Sequence, residues 1–201
     1  MKPNTIYREY SIWAEEGKDL ATGLFQVYPN KRQRKSIELL QPAKIEFDQE
    51  ILAPDSAEVT GVFYEVQRPL ESFTGTHTIV FTDDNAAQYS DEFVFVPFRL
   101  VNDFGSEISR SQLVLELEGL EEGEPLRVVV TDTSFSGNGI NEIDTVRGGR
   151  LDLTKRVNEE IVNGPVILQL FKEVEQPLNS KPAGGRISIT YSIKREFELK
   201  D

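Results

Sequence analysis

Cysteine is absent from this chain. That removes disulfides, thiolate nucleophiles, Cys-ligated zinc and iron–sulfur clusters. Methionine occurs once, at position 1, and histidine once, at position 77. One histidine leaves too few ligands for a catalytic zinc, and a Ser-His-Asp triad would have to use His77, with no Gly-x-Ser-x-Gly elbow to serve it. At the head of a strand pattern, His77 reads as a strand-edge surface residue. No Gly-rich loop ending in Lys-Ser/Thr is present to cradle a phosphate. No apolar run approaches the roughly 18 residues that a membrane-spanning helix needs. Bases are outnumbered, 22 against 34 acids, for a net charge of −12. Such a field repels phosphate backbones and argues against nucleic acid as a partner.

What the chain does have is aromatic residues and a period of two. Twelve Phe and six Tyr can fill a core. From Gly185 to Lys200, Ile187, Ile189, Tyr191, Ile193, Phe197 and Leu199 share one parity, and Ser188, Thr190, Ser192, Lys194, Glu196 and Glu198 share the other. This is the pattern of an antiparallel strand with one buried face. Arg195 alone breaks the inward parity, where its stem can pack and its head reach water. Similar patterns cover 6–12, 24–28, 36–40, 43–47, 59–66, 79–81, 93–100, 113–117, 126–130, 151–153 and 166–171, with Pro and Gly between them. Many short strands with turn signals predict an all-β antiparallel β-sandwich.

The polar stretch 101–110 divides the chain near its middle. The expectation is two immunoglobulin-like or jelly-roll-like modules in tandem, 1–103 and 104–201, with one larger sandwich as the alternative. Helix is limited to one short element near 155–163, where Thr154 is the expected cap and Gly164-Pro165 the stop. Gly148-Gly149-Arg150 and Gly184-Gly185-Arg186 read as two double-Gly turns, each feeding an alternating strand.

The stretch Thr82-Asp83-Asp84-Asn85-Ala86-Ala87-Gln88-Tyr89-Ser90-Asp91-Glu92 holds four acids and an Asn between two apolar runs. It fails the helix-loop-helix calcium pattern: counted from Asp83, Ala87 takes a ligand position, Gln88 replaces the central Gly and Val94 stands where the final Glu belongs. A looser oxygen cage for calcium, built from Asp83, Asp84, Asn85, Asp91 and Glu92, is the candidate metal site. The competing reading is a hairpin tip whose Asp and Asn cap their own backbone.

Three other features carry a functional and a structural reading each. The loop 134–141, with Asp132, Asn138, Asn141, Glu142 and Asp144 about it, is a candidate binding edge or plain surface. The basic run Lys31-Arg32-Gln33-Arg34-Lys35 reads as a solvated loop, with anionic lipid or polyanionic glycan as the functional alternative. Tyr7 and Trp13 lie on the parity opposite Ile6, Tyr10 and Ile12. Facing water they could stack on sugar rings; facing a second sheet they are core, the usual place for Trp.

The phrases Gly164-Pro165-Val166-Ile167-Leu168-Gln169-Leu170-Phe171, Gly184-Gly185-Arg186-Ile187-Ser188-Ile189-Thr190-Tyr191 and Phe81-Thr82-Asp83-Asp84 resemble those of uncharacterised bacterial cell-envelope, lipoprotein-like β-sandwich proteins. The resemblance implies export, peripheral or lipid-tethered membrane association and a binding or structural role, and carries over no site residue. The functional expectation is a non-enzymatic extracytoplasmic protein, periplasmic or at the cell surface if a signal has been trimmed and cytoplasmic otherwise, with a protein or glycan partner. The alternatives are a glycan-binding module or carboxylate-pair glycosidase on a sandwich scaffold, and a subunit of a surface or phage-like assembly.

Overall fold

A computed structural model describes residues 6–33, 35–103, 105–133, 139–179 and 184–201. Sixteen strands follow in chain order: β1 (Tyr7–Glu15), β2 (Leu20–Tyr28), β3 (Lys44–Phe47), β4 (Glu50–Ile51), β5 (Pro54–Ala57), β6 (Gly61–Pro69), β7 (Gly75–Thr82), β8 (Gln88–Phe95), β9 (Arg99–Leu100), β10 (Glu107–Ser109), β11 (Val114–Glu118), β12 (Pro125–Asp132), β13 (Gly139–Thr145), β14 (Arg150–Asp152), β15 (Gly164–Pro177) and β16 (Gly184–Lys200). One helix, α1 (Thr154–Glu160), precedes β15. The chain is an all-β sandwich protein, as its period-two patterning predicts.

It divides into two compact units. The first comprises 1–96 with 174–190, the second 97–173 with 191–201. The sequence reading divides the chain once, at 103/104; in the structure β15 and β16 each contribute residues to both units.

In the first unit, one sheet runs β16-β1-β2-β6-β5 and the other β4-β3-β7-β8. Both form from alternating sequence: β1 turns Arg8, Tyr10, Ile12 and Ala14 inward, and β8 turns Asp91, Phe93 and Phe95 inward. The sheets meet through rings. Tyr10 packs edge-on against Phe25 at 5.3 Å between centroids, Phe25 lies 5.8 Å from Phe47 of the facing sheet, and Phe47 stacks on Phe73 at 6.1 Å. Each fully buried ring contributes about 1.5–3 kcal/mol over its exposed state. The expected strand over 36–40 is reduced to an isolated bridge from Ser36 to Gly61, because Leu39 N–H is taken by the Tyr64 hydroxyl instead of a neighbouring strand.

In the second unit, β13-β12-β15-β16 form one sheet and β14-β11-β9 the other. Leu113, Leu115 and Leu117 sit among Leu126, Val128, Val130, Val166, Leu168 and Leu170 in the core. β10 pairs in parallel with the end of β16, Glu107 opposite Glu198, a departure from the expected purely antiparallel pattern. Thr154 does not cap α1: its N–H and hydroxyl both donate to the Asp152 carboxylate, so the acid two residues earlier supplies the acceptor. Val157 and Ile161, four apart, are buried as the helical spacing predicts.

Candidate functional site

Cross-strand register fixes what the first unit shows on the outward face of its larger sheet. Tyr7 lies opposite Tyr28, Glu9 opposite Gln26, Ser11 opposite Leu24 and Trp13 opposite Thr22. The next strand adds Glu65 beside Leu24 and Gln67 beside Thr22. Residues at i, i+2 and i+4 share a face, so β1 lays Tyr7, Glu9, Ser11 and Trp13 in one line. Trp13 is 42% exposed. The expectation that Trp13 is core is therefore corrected: the inward parity of β1 is already filled by Arg8, Tyr10, Ile12 and Ala14.

At the Tyr7 end a cavity of about 400 Å³ opens, lined by Tyr7, Glu9, Lys31, Glu175, Gly185 and Arg186. Arg186 spreads its fork between two carboxylates: Nη2 lies 3.1 Å from Glu9 Oε1, and Nη1 donates to Glu175 Oε2 at 2.9 Å. The Glu9 charge, ahead of that of Glu175, raises the guanidinium pKa further above its ordinary value. Burial, and then the nearby Glu9 charge, raise the Tyr28 phenol. The Lys31 ammonium sits 5.9 Å from the Tyr7 ring centroid, within cation–π range. A second cavity of about 540 Å³ has a mixed lining, with Leu39, Pro42, Ile51 and Leu52 beside Gln41 and Lys44.

The five acidic-stretch residues do not form a cage. Asp83 is buried and accepts the N–H groups of Asn85 (2.8 Å) and Ala87 (3.0 Å) through Oδ1 and the Tyr89 hydroxyl (3.2 Å) through Oδ2. Asp84 and Asn85 are exposed at the tip. Asp91 and Glu92 are adjacent on β8 and so point to opposite faces, Asp91 inward to Arg8 and Glu92 outward. Among the described residues no three His, Asp or Glu side chains are grouped to hold a metal ion.

His77 is not at the surface. It is 8% exposed, stacked against Phe73 at 4.1 Å and beside Phe47 and Phe93. Nδ1 meets Asp48 Oδ2 and Nε2 meets the Phe73 carbonyl, each at 2.7 Å. A His–Asp pair is thus present, but the position a nucleophilic hydroxyl would need is filled by a backbone oxygen.

In the second unit, residues 134–138 of the loop proposed as a binding edge lie outside the described residues. Of its acids, Glu142 and Asp144 are both paired with Arg156 of α1, at 2.7 and 2.6 Å. Burial pushes the Asp144 carboxyl up, but the Arg156 and Thr145 hydrogen bonds and the Arg156 charge outweigh it, and the net shift is downward. The acids of the β11–β12 hairpin pair likewise: Glu116 with Arg150, Glu118 with Arg99, Glu124 with Lys172.

Sequence reading passed over Arg8, whose side chain is the largest of the fully buried ones. The signal was available: Arg8 falls on the inward parity between Ile6 and Tyr10, and a charge there demands a buried partner.

No helix among the described residues is long and apolar enough to cross a membrane. No family model matches the chain, and no curated protein matches it. Among solved structures, the crystal structure of DIP-gamma IG1+IG2 aligns over 94% of this chain and 94% of that one, at 12% identity and a TM-score of 0.26, a likeness that says nothing about function.

Proposed function

We propose that the protein is a non-catalytic glycan-binding β-sandwich whose working surface is the outward face of β1. The observation that carries this is the exposure of Trp13, the only tryptophan in the chain, on a strand face with Tyr7 at its other end. A half-exposed indole forgoes the burial that Trp ordinarily gains. Its flat apolar face suits the C–H face of a sugar ring, and hydroxyls, amides and carboxylates beside it suit the ring's hydroxyls. Thr22 and Gln67 stand in the Trp13 row, Ser11 and Glu65 in the next, Glu9 and Gln26 in the one beyond.

Tyr7 and Trp13 are separated by roughly 20 Å at about 3.3 Å per residue. That length fits an extended oligosaccharide of several rings. A paired strand holds these groups in place before the ligand arrives, which lowers the entropic cost of binding. The absence of catalysis in this reading is supported by His77, whose Nε2 is engaged by the Phe73 carbonyl. An extracytoplasmic setting at the bacterial cell envelope belongs to the same proposal and rests on the sequence resemblance.

Because the chain has one tryptophan, its fluorescence reports on this face alone. Titration with a panel of neutral and acidic oligosaccharides should give a saturable change in Trp13 emission for at least one class. Calorimetry on Trp13→Ala should then show that binding lost. A flat emission across the whole panel, with no heat of binding, would remove the glycan reading.

A further inference from the structure

Resting on that glycan reading, we infer that the ligand is an acidic glycan whose carboxylate or sulfate is held by Lys31 at the Tyr7 end of the face. The inference starts from how cations are used elsewhere. Arg99, Arg150, Arg156, Lys172, Arg186 and Lys200 each lie within ion-pair distance of a carboxylate, as an acidic protein readily allows. Lys31 has none: its only partner among the described residues is the Tyr7 ring. Arg32, on the same turn, and Lys35, four residues along the chain, are exposed and also have no carboxylate partner among the described residues. Lys18 and Lys155 also have none among the described residues, but singly; what sets Lys31, Arg32 and Lys35 apart is that they are neighbours.

The turn that carries Lys31 and Arg32 is held in shape. Asn30 Oδ1 accepts the N–H groups of Arg32 at 2.9 Å and Gln33 at 3.2 Å, and the Asn30 carbonyl accepts Gln33 N–H at 3.2 Å. Glu9 and Glu175 also line the cavity, and they count in the local charge. Arg186 and Lys31 cancel those two charges, so the cavity lining is neutral, and the +2 comes from Arg32 and Lys35, exposed close by in the chain. The chain as a whole carries −12, so the rest of its surface repels an anion. A polyanion therefore gains at this cluster, and docking there sets its direction, acidic end at Lys31 and the chain running along β1 towards Trp13. An exposed ammonium is screened by salt, so the preference weakens as ionic strength rises.

The test uses the full chain and Lys31→Gln, a substitution at an exposed position that removes the charge. Each is titrated with size-matched neutral, uronate and sulfated oligosaccharides at low and high salt, following Trp13 emission. One charge-assisted hydrogen bond predicts an acidic ligand bound about tenfold more tightly than the neutral one, with the gain abolished by Lys31→Gln or by salt. The readout is the ratio of acidic to neutral affinity within each protein, because Lys31 also sits on the Tyr7 ring of the face. The stronger of the uronate and sulfated arms identifies the anion. Equal binding of neutral and acidic ligands in both proteins would overturn the acidic assignment while leaving the glycan reading in place. Silence of Trp13 towards every glycan would remove that reading too. Binding to phosphatidylserine vesicles without any response to acidic oligosaccharides would overturn the inference and assign the basic turn to lipid.

Discussion

Arg8 Nη1 donates to Asp91 Oδ2 across 3.3 Å, with the two side chains 1% and 3% exposed. Arg8 belongs to β1 and Asp91 to β8, so the pair ties the two sheets of the first unit together. The guanidinium also lies 5.2 Å from the Phe81 ring centroid and 6.0 Å from that of Tyr10, while Asp91 Oδ1 accepts Asn179 N–H at 2.9 Å. Removing one partner takes the opposite charge away from a buried one. Asp91→Ala should cost about 3–5 kcal/mol in urea denaturation, whereas Arg8→Met with Asp91→Leu should recover much of that loss, short of the acceptor that Asn179 N–H loses. A single variant as stable as wild type would show that the guanidinium finds water or another acceptor.

Asp83 caps a turn, and that role competes with cation binding. Its carboxylate accepts two backbone N–H groups and the Tyr89 hydroxyl. Asp83→Ala leaves those donors to find new partners in a largely buried site and should destabilise by about 1–3 kcal/mol. Thermal melts in EDTA and in millimolar calcium should superimpose. A calcium-dependent rise lost in Asp83→Asn would show instead that the loop rearranges into the cage expected from sequence.

The fold was legible where one residue type decides a face. The alternation from Gly185 to Lys200 is the strand Gly184–Lys200, with Ile187, Ile189, Tyr191, Ile193, Phe197 and Leu199 buried and Arg195 half-buried. The site was less legible, because its decisive facts depend on pairing. His77 is buried because Asp48, 29 residues away, and the Phe73 carbonyl meet its two nitrogens. Trp13 faces outward because of parity, against the average preference of its residue type. The double glycines show both outcomes. Gly148 and Gly149 make the expected turn at φ of 57° and 69°, while Gly184-Gly185 opens a strand, for a reason of space and not of turn chemistry.

Tyr10 carries a pH prediction. Burial, opposed by the Arg8 charge, pushes its phenol up to about 12. A folded pKa above the unfolded value near 10 means that the folded state holds the proton longer. The stabilisation is complete below pH ~10 and is lost as pH rises towards 12, by at most about 3 kcal/mol. Ultraviolet titration should show tyrosinate absorbance lagging behind the model-compound curve, and Tyr10→Phe should flatten the alkaline fall in stability. Ionisation of all six tyrosines near pH 10 without unfolding would contradict the burial of this hydroxyl.

Gly185 sets how closely β16 approaches β1. A Cβ there would lie 2.3 Å from the Arg8 carbonyl oxygen and 2.5 Å from Leu178 Cδ1. The leucine methyl can swing away, but the Arg8 oxygen is backbone and moves only if the strands separate, taking the buried Arg8 side chain with it. At Gly184 the same atom would meet only the Tyr7 ring, at 3.5 Å, an ordinary contact. Both glycines lose the same unfolded-state freedom on change to alanine, a term that favours the variant by about 0.4–1 kcal/mol where the backbone permits it. The pair therefore separates space from entropy. Gly185→Ala should lower stability by several kcal/mol, at the upper end of single substitutions, and Gly184→Ala should be neutral or slightly stabilising. Since Gly185 also lines the Tyr7 cavity, a destabilised but folded Gly185→Ala should lose oligosaccharide binding while Gly184→Ala retains it. Equal melting points for the two variants would mean that the strands do not approach as closely as this register requires.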